Sequence, residues 1–180
     1  MKIYYANSRS LCNKLNDLHL LLSGYEHDIL IFTETWLTAA LPDSILLNGY
    51  DYSVHRVDRS NKIGGGTCII HRNFLKARFI PIGLHISDVQ MLCVDFLASP
   101  TKYRVIVCYT PPSLDDNSIV NFINFFESSQ LLHCDASIIV CGDFNVPSNR
   151  KLSQFLEIMN EKGFIQCVNS PTRDNNILDL

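Results

Sequence analysis

Asp143 and Asn145 lie two residues apart at the end of the apolar run Ile138-Ile139-Val140-Cys141-Gly142. In an extended segment, residues two apart point to the same side, so a strand here delivers both polar groups to the rim of a sheet. A carboxylate accepts a proton from water, and a carboxamide donates hydrogen bonds to a developing oxyanion. Phosphodiester hydrolysis needs both at one point in space. Other strand ends carry polar groups of the same kind: Asn7 and Arg9 after the first strand, Glu34 after the second, and Tyr109 at the end of Tyr103–Tyr109. Taken singly, Asn7 reads as a turn residue, Glu34 as a charge at a helix start and Tyr109 as a half-buried aromatic. Their recurrence at strand ends, where a sheet holds side chains rigidly, favours a shared site. In such a site Glu34 is a hard oxygen ligand for Mg2+ or Mn2+, and Asn7 holds a metal-bound water. Asp143 activates the attacking water, while Asn145 and Tyr109 bind phosphate oxygens as charge develops.

The elements that must position these residues follow from pattern. Ile3 to Ala6 reads as a strand. Leu11, Leu15, Leu18 and Leu22 share one face of a helix over about residues 10–23, with Gly24 as its stop. Asp28 to Phe32 is a buried strand ending at Thr33-Glu34-Thr35-Trp36, and a polar loop follows, with Trp36 expected to pack beneath the Glu34 turn. Gly64-Gly65-Gly66 lacks the Gly-Lys-Ser/Thr of a phosphate-binding loop and reads as a tight hairpin entry to a strand at Thr67–His71. Strands are expected at Ala77–Ile82, Val89–Leu97 and Tyr103–Tyr109, the last stopped by Pro111-Pro112. Asp115 or Asp116 caps a helix whose core face is Ile119, Phe122, Ile123 and Phe126. A third helix places Leu152, Phe155, Leu156 and Met159 on one side. Strict βαβ alternation fails in the middle, so the expected class is α/β: two mixed β-sheets packed face to face with helices outside.

Bulk composition narrows the function classes. The chain has 180 residues, 47% hydrophobic and 18% charged, which suits one globular domain. The net charge is −3, so any positive surface for a nucleic acid must be local. Seven cysteines without a Cys-x-x-Cys argue against a disulfide framework or a zinc knuckle and for buried thiols in a reducing compartment. The start Met-Lys-Ile-Tyr-Tyr is too short and polar for a signal peptide, and no run of about 18 apolar residues reads as a membrane span. An intracellular protein with no membrane partner is expected.

Six motifs occur in an order that resembles the endonuclease/exonuclease/phosphatase family. They are Asn7-Ser8-Arg9-Ser10-Leu11, Thr33-Glu34-Thr35-Trp36-Leu37, Gly64-Gly65-Gly66, Tyr109-Thr110-Pro111-Pro112-Ser113, Gly142-Asp143-Phe144-Asn145 and Pro171-Thr172-Arg173. The resemblance is greatest to the apurinic-like endonuclease domain of non-LTR retrotransposons, and it runs from Ile3 to Leu180. It implies a DNase I-like, four-layer sandwich over residues 1–180 and Mg2+- or Mn2+-dependent nicking of a DNA target. A downstream reverse transcriptase domain and action in the nucleus are also implied. Asn7 and Glu34 resemble the metal-side pair, Tyr109 the phosphate-contacting tyrosine, and Asp143 with Asn145 the water-activating acid and its partner amide. Thr172 resembles a DNA-contacting threonine, Arg9 and Arg173 stand where substrate is held, and Asp179 resembles the acid that supports a catalytic histidine. The chain departs from the family in having Arg9 where some relatives carry an acid and Thr110 where many carry an arginine. It stops at Leu180 before the family's Ser-Asp-His motif. The expected domain is therefore incomplete at its C-terminus. The alternatives to a DNA-nicking enzyme are an inactive remnant lacking the catalytic histidine and a phosphoesterase of the same fold acting on another substrate.

Overall fold

The fold comes from a computed structural model, which describes residues 1–59, 64–83, 86, 88–98, 100–145, 149–170 and 172. Its first sheet holds β1 (Ile3–Asn7), β2 (Ile29–Thr33), β3 (Tyr52–Val57) and β4 (Thr67–Arg72) in the order β1-β2-β4-β3. The second holds β5 (Lys76–Phe79), β6 (Gln90–Ala98), β7 (Thr101–Tyr109) and β8 (Ser137–Asp143) in the order β5-β6-β7-β8. Each sheet contains one parallel pair, β1 with β2 and β7 with β8; the other pairs are antiparallel. A helix bridges each parallel pair in sequence, as parallel pairing requires: α1 (Leu15–Gly24) between β1 and β2, and α3 (Asp116–Ser128) between β7 and β8. The remaining helices are α2 (Asp43–Leu47) and α4 (Asn149–Glu161).

Period-two alternation sorts the strand residues into layers. Ile29 and Ile31 of β2 and Ile69 of β4 meet Leu92, Val94, Phe96, Val105 and Val107 in a core between the sheets. The alternate residues Leu30, Phe32, Cys68 and Ile70 face outward onto Leu18 and Leu22 of α1 and Leu46 of α2. On the second sheet, Cys93, Ile106 and Cys108 face α3 and α4, where Phe122, Phe126, Phe144 and Phe155 form a cluster of tilted and edge-on rings. The order helix, sheet, sheet, helix is the expected four-layer sandwich.

Two local expectations are corrected. The stretch after Trp36 is not only a polar loop. It holds α2, entered at Pro42 and closed by Asn48 in a left-handed conformation, and β3, which pairs antiparallel with β4. The first helix begins as a 3-10 turn, Leu11–Lys14, before α1 proper. The buried thiols follow expectation: Cys68, Cys93 and Cys108 are buried in strands, and burial pushes the Cys93 and Cys141 thiols up to about 12. Among the described residues, no helix is long and apolar enough to cross a membrane.

Candidate active site

Both parallel strand pairs end at the same rim. Asn7 pairs with Thr33 at the end of β1 and β2, and Tyr109 pairs with Asp143 at the end of β7 and β8. Parallel strands direct their carboxyl ends to one side, so each helix-bridged pair delivers polar groups where ligands collect in open α/β sheets. Asn7 joins the two halves. Its Nδ2 donates to Glu34 Oε1 at 2.9 Å and to Asp143 Oδ2 at 2.7 Å. One nitrogen thus gathers a carboxylate from each sheet, from residues 136 positions apart in the case of Asp143.

The segments that carry these side chains are fastened by backbone bonds. The Ser8, Ser10 and Leu11 N–H groups donate to the carbonyls of Thr33, Glu34 and Thr35, each at 2.9 Å. Ser8 Oγ donates to the Thr33 and Glu34 carbonyls, and Lys14 Nζ donates to the carbonyls of Ser8 and Arg9. Arg9, Ser10, Glu34, Trp36 and Asn145 all adopt positive φ, between 39° and 78°. Non-glycine residues enter this region at a cost, and clusters of them mark loops over-determined by their surroundings, as functional sites are.

On the second sheet, Gly142 lets β8 approach β7. A Cβ there would lie 1.9 Å from the Cys108 carbonyl oxygen, and φ is 147°. Beyond it, Asp143 is 2% exposed and its carbonyl accepts the Thr110 N–H at 3.0 Å. Asn145 is also buried, and its Nδ2 donates to the Thr110 carbonyl at 3.1 Å, while Thr110 Oγ1 donates to the Phe144 carbonyl. The expected oxyanion donor therefore commits one amide N–H to its own loop.

Asn7, Glu34 and Asp143 are joined directly, Tyr109 is paired with Asp143 in the strand ladder, and Asn145 is one loop away. Arg9 is exposed at the mouth of the β1 turn; its backbone N–H donates to Asn7 Oδ1 at 3.2 Å. Thr172 is exposed. Arg173 and Asp179 lie outside the described residues. Trp36 is not packed beneath the Glu34 turn: it is 40% exposed, beside Gly64. The glycines do lead into β4, but they also pack closely, since a Cβ on Gly66 would lie 2.5 Å from Thr35 Oγ1. Sequence reading passed over Lys14 and Gln90, and it noted Thr110 only as a departure from the family pattern. The signal for Gln90 was an amide at the head of the apolar run Met91-Leu92-Cys93-Val94.

The donor set suits a hard divalent ion. Glu34 offers carboxylate oxygens beside the Asn7 carboxamide, which fits a hard divalent ion retaining several waters. Among the described residues, no three His, Cys, Asp or Glu side chains converge, so the closed nitrogen and sulfur cage of a structural zinc site is missing.

Comparison with solved structures supports the architecture. The chain is similar to the endonuclease domain of TRAS1, a telomere-specific non-LTR retrotransposon, with a TM-score of 0.70 at 14% identity, covering 98% of this chain and 81% of that one. It is similar to an AP endonuclease from Archaeoglobus fulgidus, with a TM-score of 0.64 at 16% identity, covering 88% and 71%. It is also similar to the 3'-5' exonuclease NExo from Neisseria meningitidis, with a TM-score of 0.64 at 18% identity, covering 88% and 71%. Identities this low carry the fold alone. No curated protein sequence matches the chain. The sequence profile of the Endonuclease/Exonuclease/phosphatase family matches residues 4–172, from β1 to beyond α4 and across every strand that feeds the rim, and the chain belongs to that family.

Proposed function

We propose that this chain is a metal-dependent phosphodiesterase that nicks DNA, the endonuclease domain of a non-LTR retrotransposon. The observation that carries the reading is the Asn7 carboxamide, which holds Glu34 and Asp143 to one nitrogen across the junction of the two sheets. Asp143 takes the proton of the attacking water as the water oxygen bonds to phosphorus and the bond to the leaving oxygen breaks. Asn7 fixes the direction of the Asp143 carboxylate, and the near-complete burial of Asp143 strengthens its electrostatic action. Asn145 and Tyr109 contact the phosphate oxygens. Glu34, with Asn7 beside it, would hold Mg2+ or Mn2+, which would neutralise charge on the leaving oxygen. Arg9, Thr172 and Arg173 contact the DNA, and Asp179 stands for the acid that in the family supports a catalytic histidine. DNA is the substrate favoured by the ordered motifs and by the likeness to the TRAS1 endonuclease domain. In this reading the nick is made in the nucleus and is used by a reverse transcriptase domain of the same polyprotein.

The test is conversion of supercoiled plasmid to open circle. Nicking with Mg2+ or Mn2+ is expected to stop with a chelator. Asp143→Ala should reduce it by about 10²-fold or more, since proton transfer by a positioned group contributes that much. Nicking that persists with chelator or with Asp143→Ala refutes the assignment, and so does a chain that leaves the plasmid intact.

A further inference from the structure

Among the described residues, polar links cross between the two sheets and their loops near the rim. One is Asn7 to Asp143. Another is Arg59, after β3, whose guanidinium donates to Asp88 Oδ1 at 2.6 and 3.2 Å. A further one is Gln90, which catalysis as described above does not use.

Gln90 is the first residue of β6, 6% exposed, and it stands opposite Tyr109 in the β6–β7 ladder. Its Oε1 accepts the Gly66 N–H at 3.2 Å, and its Nε2 donates to the Asp88 carbonyl at 2.6 Å. Both ends of the carboxamide are therefore engaged, which sets its rotamer and its amide orientation. The glycine loop lies directly against it. A Cβ on Gly65 would come within 2.6 Å of Gln90 Oε1 and 3.2 Å of Tyr109 Cε1. From that loop the connection continues to Glu34. Gly66 O accepts the Thr35 N–H at 3.3 Å and Gly65 O accepts the Trp36 N–H at 3.0 Å, while the Glu34 carbonyl is held from the other side by the Ser10 N–H. The Glu34 turn is thus suspended between the β1 turn and the glycine loop, and the glycine loop is anchored to the strand beside Tyr109.

We propose that Gln90 is a positioning residue that fixes the Glu34 turn relative to Tyr109, through the Gly66 N–H. A buried amide satisfied at both ends is costly to replace by an apolar group, because the Gly66 N–H is then left without its acceptor. It is also directional, so its removal lets the loop drift. A displacement of about 1 Å at a catalytic constellation costs about 10²-fold in rate.

The test compares wild type with Gln90→Met, which keeps the length and removes both hydrogen bonds, and Gln90→Glu, which keeps an acceptor for Gly66 and loses the donor to Asp88. Two readouts are independent of activity: amide exchange at Gly66, and emission of Trp36, the one tryptophan, which abuts Gly64. The third is plasmid nicking, resolved into kcat and KM, and it rests on the function proposed above. Gln90→Met is expected to speed Gly66 exchange, shift Trp36 emission and lower kcat by about 10- to 100-fold with little change in KM. Gln90→Glu should restore slow exchange and recover part of the kcat. Unchanged exchange and emission in Gln90→Met would overturn the proposal, as would a loosened loop with undiminished kcat, or a Gln90→Glu variant no better than Gln90→Met. If wild type leaves DNA intact, the functional reading fails, and the exchange and emission measurements still decide whether Gln90 anchors the loop.

Discussion

Replacing Asn7 by leucine removes a donor that Glu34 and Asp143 share. Two hydrogen bonds to carboxylates are lost, at 2.9 and 2.7 Å. Bonds to charged groups contribute about 1.5–3 kcal/mol each, and the part-buried rim argues for the lower value, so this loss is about 3 kcal/mol. The neutral amide offsets the repulsion between the two carboxylates without removing it. With both on one nitrogen their oxygens are roughly 5 Å apart, where like charges repel by about 3 kcal/mol at an effective dielectric of 20. That repulsion is present in the wild type as well, so the net destabilisation is that of the lost bonds, about 3 kcal/mol out of the 5–15 of a typical domain. The assay is urea unfolding in chelator for wild type, Asn7→Leu, Glu34→Gln and the double variant. Because Glu34→Gln turns one charged acceptor into a neutral one, Asn7→Leu should cost about 1 kcal/mol less in that background, a coupling above the roughly 0.5 kcal/mol expected of independent sites. Additive costs would show that Asn7 does not hold the two carboxylates together.

Gly142→Ala should be insoluble or show a strongly lowered Tm. It needs φ of 147° and a Cβ 1.9 Å from the Cys108 carbonyl oxygen, a combined cost of about 3 kcal/mol or more, and a soluble variant with unchanged Tm would refute the close approach. His55 and His71 stack at 5.4 Å with His71 edge-on to Phe96, and burial lowers the pKa of both below the ordinary 6.5. The folded state therefore refuses a proton that the unfolded chain accepts. Their contribution to stability is complete above 6.5 and declines as pH falls below it, so wild type should lose more urea resistance between pH 7.5 and 5.5 than a His55→Phe, His71→Phe double variant, measured by midpoint. Iodoacetamide on the native protein should modify exposed Cys167 first. Cys68, Cys93 and Cys108, which are buried and whose thiols burial pushes up, should react only on unfolding, as peptide mapping by mass spectrometry would show.

Strong local signals made most of the framework legible. The continuous apolar run of β2, the Asp115 cap of α3 and the Phe122 and Phe126 face each announce an element from within a few residues. What escaped was held by tertiary contacts. The five-residue α2 is too short to show a period, and its Leu46 is buried only because α1 lies beside it. In β3, Tyr52-Ser53-Val54-His55-Arg56-Val57 reads as polar. His55 is accommodated by stacking on His71, and Arg56 by ion pairs with Asp43 and Asp58 and a hydrogen bond to the Leu41 carbonyl. The candidate residues Asn7, Glu34, Tyr109, Asp143 and Asn145 were singled out by type and by place at strand ends. Their connections were not. That Asn7 faces Asp143 depends on how two sheets stack, and that Gln90 reaches the glycine loop depends on a contact between strands of different sheets. Neither is encoded in any spacing along the chain.

The 136-residue separation between Asn7 and Asp143 also has a meaning in time. A ribosome releases Asn7 and Glu34 early and Asp143 only after β1 to β7 have emerged, and domains complete their folding as units. Until β8 docks beside β7, the amide of Asn7 has Glu34 but no partner from the second sheet. A nascent chain therefore carries half of the candidate site until β8 has docked, and on the nuclease reading proposed above it has no complete site with which to cut before then.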